Sequence, residues 1–106
     1  MKILLSCVFA ACLSCSYKPV YAADASLIVD IIECESSGRH NVYGDKGKSY
    51  GLVQFQEATF NEFKRKAHMR KLQWRNPVHQ LRLMIWMIDH GYGGRWTCYR
   101  KLNGPH

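Results

Sequence analysis

The chain has 106 residues, enough for one domain, and 15 Lys and Arg against 8 Asp and Glu give it a net charge of +7. Hydrophobic residues make up 47% and charged residues 22% of the sequence, which excludes a disordered chain and a polytopic membrane protein. Residues 1–22 predict a cleaved secretory signal: Lys2 precedes an apolar stretch over 3–13, and Val20-Tyr21-Ala22 is a small-residue cleavage pattern. The apolar stretch is too short for a membrane span.

Cleavage after Ala22 leaves a domain of residues 23–106 with two cysteines, Cys34 and Cys98, and a charge of +5. An exported chain meets an oxidising compartment, where two cysteines most simply form one disulfide. We therefore expect a secreted or periplasmic protein with a Cys34–Cys98 bond, the alternative being two separate buried thiols. The sequence Leu13-Ser14-Cys15 also resembles a lipoprotein signal that would anchor the chain at Cys15, but Cys12 stands where an aliphatic residue is usual.

A first helix is predicted over residues 25–36, capped by Asp24 or Ser26. On a helical wheel, Leu27, Ile28, Ile31 and Ile32 form one apolar stripe, and Glu35 falls in the middle of it, one turn beyond Ile31. One carboxylate therefore faces the protein body from the last turn. That placement costs free energy unless the group has a partner or a chemical role.

The rest of the chain predicts a mainly helical domain. A polar loop over 37–49 precedes an extended or hairpin-like segment over 50–55, and a helix over 57–67 turns Phe60, Phe63 and Ala67 inward. Asn76-Pro77 opens a helix to about His90, and Gly93-Gly94 leads into a short last helix over 95–102. The inward residues predicted for the third helix are Val78, Leu81, Met84, Ile85 and Ile88. The fold class is mainly α within the α+β class, in one small domain.

Several motifs, in one order, resemble the catalytic core of soluble-lytic-transglycosylase (SLT)-type, lysozyme-like domains. They are a helix that ends in a Glu-Ser pair, a Ser-x-Gly-Leu-x-Gln segment, an Asn-Pro helix with a Gln, and a Gly-rich turn before a Trp. The resemblance spans residues 27–102, and its order is more specific than any single motif. The sequences that carry it are Ile31-Ile32-Glu33-Cys34-Glu35-Ser36-Ser37, Gly44-Asp45, Ser49-Tyr50-Gly51-Leu52-Val53-Gln54-Phe55, Thr59-Phe60, Asn76-Pro77 with Gln80, and Gly93-Gly94 before Trp96.

The resemblance implies that Glu35 is the catalytic acid of a peptidoglycan lytic transglycosylase, which cleaves the MurNAc-GlcNAc β-1,4 bond and leaves a 1,6-anhydro end. Ser49 and Gln54 offer polar groups that could orient Glu35 or a sugar, although local backbone capping is the alternative for Ser49. Aromatic residues expected to stack on sugar faces are Tyr50, Tyr92 and Trp96. Many family members carry a later Asn-Tyr motif, which this sequence lacks after Gln54; Tyr92 and Tyr99 do not match it residue by residue.

Two other functions stay open: a muramidase that hydrolyses the same bond with Asp45 or another acid as second carboxylate, and a cationic wall-binding module without turnover. The basic residues between Lys64 and Arg75 are by default a solvated helix face and loop. Their functional interpretation is attraction to anionic cell wall rather than nucleic acid, for which no motif is present. The five histidines show no ligand spacing, so we expect neither metal nor cofactor. We expect a monomer; the sequence leaves open a role in wall turnover, in a secretion or conjugation apparatus, or in attack on other cells.

Overall fold

The computed structural model describes residues 23–103, which form four α-helices and a small antiparallel sheet. The helices are α1 (Ala25–Ser36), α2 (Glu57–Lys66), α3 (Pro77–Asp89) and α4 (Thr97–Asn103). The strands are β1 (Tyr43–Gly44), β2 (Ser49–Tyr50) and β3 (Phe55–Gln56). Short 3-10 turns at Asp45–Gly47 and Gly93–Arg95 precede β2 and α4. The predicted mainly α architecture is confirmed, while the predicted signal and Cys15 lie outside the described residues.

Side-chain caps set the start of the two long helices. The Asp24 carboxylate accepts a hydrogen bond from the Leu27 N–H at 2.9 Å, so Asp24 rather than Ser26 caps α1. The Asn76 side chain accepts from the His79 N–H at 3.1 Å, with Pro77 at the first helical position of α3. α1 ends where Ser37 adopts a left-handed conformation, and this end places Glu35 in the last turn.

The sheet has the order β1-β2-β3, with Gly44 opposite Ser49 and Ser49 opposite Gln56. The predicted extended segment is therefore two short strands joined by a turn over residues 51–54, and the predicted polar loop contains β1. Successive side chains of a strand point to opposite faces. Ser49 lies on one face, while Tyr50 packs on the other against Tyr43 and Trp74, at ring-centroid distances of 4.8 Å and 5.6 Å.

The core lies between α1, α2, α3 and the turn 51–54, and its fully buried members include Ile31, Val53, Phe60 and Phe63. The predicted inward face of α3 is wrong at Val78, which is 60% exposed. Nearly every side of α3 is apolar, so hydrophobicity alone does not choose the buried stripe. The stripe observed has the spacing i, i+3, i+4, i+7, i+8 and consists of Gln80, Leu83, Met84, Met87 and Ile88. Within residues 23–103, no helix has the length and apolar character that a membrane span needs.

Candidate active site

An open, mainly polar cleft of about 400 Å³ lies where the last turn of α1 meets the sheet, the start of α2 and the turn before α4. Its position follows from the topology, since the C-terminal end of α1 and the loop that carries β1 and β2 are adjacent in sequence. The residues that line it are Glu35, Asp45, Ser49, Gln54, Phe55, Gln56, Thr59, Arg95, Trp96 and Thr97.

Glu35 is half-buried in the wall of this cleft. Burial raises the pKa of its carboxyl above the ordinary value, and the negative charge of Asp45 adds to that effect. A hydrogen bond from the Cys98 backbone N–H and the positive charge of Lys101 act in the opposite direction and are outweighed. A carboxyl whose pKa is raised keeps its proton to higher pH and is therefore suited to act as a general acid.

The disulfide between Cys34 and Cys98 fixes the helix that carries this carboxyl. It joins α1 to α4 across a sequence separation of 64 residues, with the two Cα atoms 6.0 Å apart. Cys34 immediately precedes Glu35, and the backbone N–H of Cys98 is a group that favours the charged form of the Glu35 carboxyl. The covalent bond therefore holds the acid close to this N–H group.

A second acid, Asp45, lies in the same cleft. Its backbone has a positive φ of 51°, and its carboxylate accepts a hydrogen bond from the Ser49 hydroxyl at 2.6 Å. Ser49 is 1% exposed and yet borders the cleft, so its hydroxyl serves mainly to orient Asp45 in the free protein. The sequence prediction placed Ser49 near the site, and the structure puts it there beside Asp45.

Gln54, the last residue of the Ser-x-Gly-Leu-x-Gln segment, also lines the cleft. Its amide nitrogen donates to the carbonyl oxygens of Val42 at 3.1 Å and Gly51 at 2.9 Å, so the side chain ties β1 to the turn. Its amide oxygen lies against Gly44, where an added Cβ would come within 2.1 Å of it. The glycine in the Gly44-Asp45 motif therefore makes room for Gln54 beside Asp45.

Buried polar side chains hold the turn over residues 51–54 from three directions. Ser36 donates its hydroxyl proton to the Leu52 carbonyl at 2.7 Å. Gln80, 1% exposed, donates to the Tyr50 carbonyl at 2.8 Å and accepts from the Val53 N–H at 3.3 Å. Trp96 donates its indole N–H to the Val53 carbonyl at 2.9 Å. Each bond satisfies a backbone group that the short strands leave unpaired.

The three aromatic residues predicted to stack on sugars are placed differently from one another. Trp96 lines the cleft but is only 4% exposed, and its ring packs edge-on against Phe55 at 5.0 Å. Tyr50 lies on the opposite face of the sheet. Tyr92 contacts Phe63 and is not among the residues that border the cleft. The placement of Tyr50 and Tyr92 therefore gives no support for the predicted stacking role.

Five residues of the cleft were not among the predicted site residues: Phe55, Gln56, Thr59, Arg95 and Thr97. Thr59 belongs to the Thr59-Phe60 motif, so the sequence contained a signal that could have identified it as a site residue. Arg95 and Thr97 reach the cleft only because the disulfide and the packing of Trp96 bring the start of α4 against α1. Within residues 23–103, no three His, Cys, Asp or Glu side chains converge as metal ligands.

A family model described as the transglycosylase SLT domain matches residues 15–98, well over half of the chain. Comparison with curated proteins and with solved structures gave no match. The family match starts before residue 23, so the boundary of the predicted signal stays a prediction. The family match agrees with the motifs on which the resemblance rests, and Glu35, Asp45, Ser49, Gln54, Thr59 and Trp96 from these motifs line one cleft. The chain therefore belongs to the transglycosylase SLT domain family, the lysozyme-like lytic transglycosylases that act on peptidoglycan.

Proposed function

We propose that this protein is an exported lytic transglycosylase that cleaves the MurNAc-GlcNAc β-1,4 bond of peptidoglycan and uses Glu35 as its single acid and base. The observation that carries the proposal is the placement of Glu35: a half-buried carboxyl with a raised pKa in the wall of an open cleft. The spacing of the motifs around it and the family match support the substrate class.

In the first half of the proposed reaction, Glu35 donates its proton to the glycosidic oxygen as the bond from that oxygen to C1 of MurNAc breaks. The leaving GlcNAc takes the proton on its 4-hydroxyl, and Glu35 becomes a carboxylate. The positive charge that develops at C1 needs stabilisation, and the resemblance assigns this to the acetamido group of the substrate itself. The nearby Asp45 carboxylate adds a favourable electrostatic contribution without forming a bond.

In the second half, the 6-hydroxyl of the same MurNAc attacks C1, and its proton passes to the Glu35 carboxylate. A C1–O6 bond replaces the C1–O4 bond, no water is consumed, and Glu35 ends protonated as it began. One carboxyl group therefore suffices for the whole turnover, because the second half returns to it the proton that it gives in the first. The backbone N–H of Cys98 supports this role, because it favours the carboxylate formed midway.

Two observations support the proposal that the cleft binds a carbohydrate strand rather than a small substrate. The cleft is open to solvent, and its lining is mainly polar, with amide, hydroxyl and guanidinium groups from Gln56, Thr59, Thr97 and Arg95. Hydrogen-bonding groups spread along an open cleft suit a chain of sugars, which presents hydroxyl and amide groups along its length.

Product analysis on purified peptidoglycan tests the proposal. Wild-type protein should release muropeptides with 1,6-anhydro ends, and Glu35→Gln should lose activity by about 10²–10⁴-fold, because the amide cannot donate a proton. Glu33→Gln is the matched control: Glu33 is exposed on the same helix and does not border the cleft. Undiminished turnover by Glu35→Gln would refute the assignment.

The position of Asp45 favours a second candidate, a muramidase with two carboxylates in one cleft. That enzyme would release reducing ends in place of anhydro ends, and Asp45→Asn would be inactive. A wall-binding module would retain peptidoglycan without releasing any fragment. The three functions are therefore separated by mass analysis of the soluble products from the same set of variants.

We further propose export, with signal cleavage near Ala22, and action in the periplasm or outside the cell. The Cys34–Cys98 bond supports this localisation, because such bonds persist in oxidising compartments. Sequencing the N terminus of the protein recovered from the cell envelope would test it: a start at Ala23 is expected, while a lipid-modified start at Cys15 would show anchoring. Co-purification under mild conditions would show whether a secretion or conjugation apparatus is a partner.

A further inference from the structure

Charge is distributed very unevenly along the domain. Residues 63–88 contain seven Lys and Arg and no acid, whereas the remainder of residues 23–106 contains six basic and eight acidic residues. The basic segment comprises the last four residues of α2, the α2–α3 connection and nearly all of α3. The domain is therefore strongly cationic in that part and close to neutral elsewhere, and the catalytic proposal makes no use of this asymmetry.

A second pocket, of about 440 Å³, lies within this basic region, between the α2–α3 connection and α3. We call it the basic pocket; its lining residues are His68, Met69, Arg70, Lys71, Leu72 and Arg82. Arg70, Lys71 and Arg82 are exposed, while Met69 and Leu72 supply carbon atoms beneath them. Among the residues that the structure describes, Lys66 pairs with Glu62, but no carboxylate pairs with these three cations.

The loop that forms the basic pocket is held in place before any ligand arrives. The Met69 N–H bonds the Lys64 carbonyl at 2.8 Å, and the Lys64 ammonium donates to the Leu72 carbonyl at 3.1 Å. His68 adopts a positive φ of 57°, which turns the chain sharply after α2. A preformed loop loses little conformational entropy on binding, so the pocket is suited to bind without rearrangement.

We propose that the basic pocket binds the phosphate headgroup of acidic phospholipids and so holds the domain at an anionic membrane surface. Two arginines and a lysine match a phosphate, because the planar guanidinium group donates two parallel hydrogen bonds to it. The Met69 and Leu72 side chains contact the carbon atoms attached to the phosphate, which a purely ionic polymer would not offer.

Docking through the basic pocket leaves the cleft free. The two pockets share no lining residue. Thr59, in the first turn of α2, borders the cleft, whereas the basic pocket begins just beyond the C-terminal end of this ten-residue helix. A helix of that length extends about 15 Å.

Sedimentation with lipid vesicles tests the proposal. The wild-type domain should bind phosphatidylglycerol–phosphatidylcholine vesicles and not pure phosphatidylcholine. Each cation removed near an anionic surface should weaken binding about fivefold, so Arg70→Gln/Lys71→Gln/Arg82→Gln should lose on the order of a hundredfold. The matched control Arg39→Gln/Lys46→Gln/Lys48→Gln removes equal charge outside the pocket. Equal losses in both triple variants, or none in the first, would overturn the proposal; circular dichroism checks that each variant folds.

A further variant separates lipid from other phosphate sources. Met69→Gln keeps the cations but makes the floor of the pocket polar, so it should weaken vesicle binding severalfold while leaving the chemical-shift response to inorganic phosphate unchanged. If polyphosphate competes fully and Met69→Gln binds vesicles like the wild type, the pocket recognises a soluble phosphate polymer and the phospholipid assignment is wrong.

Discussion

Glu35 and the turn over residues 51–54, which carries Gln54 and leads into Phe55, form two walls of one cleft and are held by different kinds of interaction. The helix that carries Glu35 is joined to α4 by the Cys34–Cys98 disulfide. No disulfide joins the turn to another element, and its carbonyl and N–H groups are hydrogen-bonded by the buried side chains of Ser36 in α1, Gln80 in α3 and Trp96 just before α4.

The two kinds of interaction predict different effects when they are removed by mutation. A disulfide stabilises mainly by restricting the unfolded chain, so its removal should lower stability while the folded geometry persists. A buried hydrogen bond holds a specific backbone group in a specific place, and its loss leaves that group unpaired in the folded state. Loss of the disulfide should therefore lower the free energy of unfolding but leave the folded geometry of the Glu35 wall unchanged. Loss of a hydrogen bond to the turn should change both the stability of the protein and the geometry of that wall.

The largest expected effect on stability is loss of the disulfide. Cys34→Ala/Cys98→Ala opens a loop of about 65 residues and should lower the free energy of unfolding by roughly 4 kcal/mol. Urea titration of the variant against the oxidised wild type measures this difference, and mass spectrometry of the unreduced wild type should show two hydrogens fewer than the dithiol form. A variant as stable as the wild type would show that the bond carries no constraint.

Loss of the Gln80 amide should come next. Gln80→Ala leaves the Tyr50 and Trp74 carbonyls and the Val53 N–H without their partner, at a cost of about 2–4 kcal/mol. Turnover on peptidoglycan should fall as well, because the turn that carries Gln54 is then free to move. Gln73→Ala, at an exposed position nearby, is the control and should change stability by less than about 0.5 kcal/mol. An unchanged turnover in Gln80→Ala would show that the cleft does not depend on this wall.

The two walls also differ in how far the sequence predicts them. The bounds of α1, the inward position of Glu35 and the pairing of two cysteines follow from periodicity, caps and cysteine count, all local or simple signals. The bonds of Gln80 and Trp96 join residues 30 and 43 positions apart. No periodicity encodes such pairs, so only the family motifs placed these residues near the site.

The error on α3 has the same origin. A helix that is apolar on almost every side offers several stripes of similar hydrophobicity, and the buried stripe includes Gln80, a polar residue that a hydrophobic pattern ignores. The amide is inward because the turn over residues 51–54 and Trp74 present two carbonyls to it. These carbonyl groups determine which side of α3 faces the core, and they belong to residues outside the helix.

Trp96→Phe should give a smaller effect and distinguishes two roles for this residue. Phenylalanine keeps the edge contact with Phe55 but cannot donate to the Val53 carbonyl, so the free energy of unfolding should fall by about 1–2 kcal/mol. Because Trp96 is 4% exposed, KM for peptidoglycan should change little. A raised KM with unchanged stability would instead support sugar stacking by Trp96.

The smallest expected effect is a shift in pH dependence, and it tests the electrostatics of the Glu35 wall. Glu35 acts first as an acid, so turnover should fall as pH rises through its pKa, which burial holds above the ordinary value. Asp45→Asn removes a negative charge that raises this pKa, while asparagine can still accept the hydrogen bond from Ser49. The alkaline limb of the kcat/KM profile, which reports the free enzyme, should therefore move to lower pH. Lys101→Met removes a charge that lowers the pKa, so its limb should move to higher pH, by a smaller amount. Shifts of the same sign in the two variants would contradict this account of the carboxyl, and complete loss of activity in Asp45→Asn would identify Asp45 as a second catalytic group.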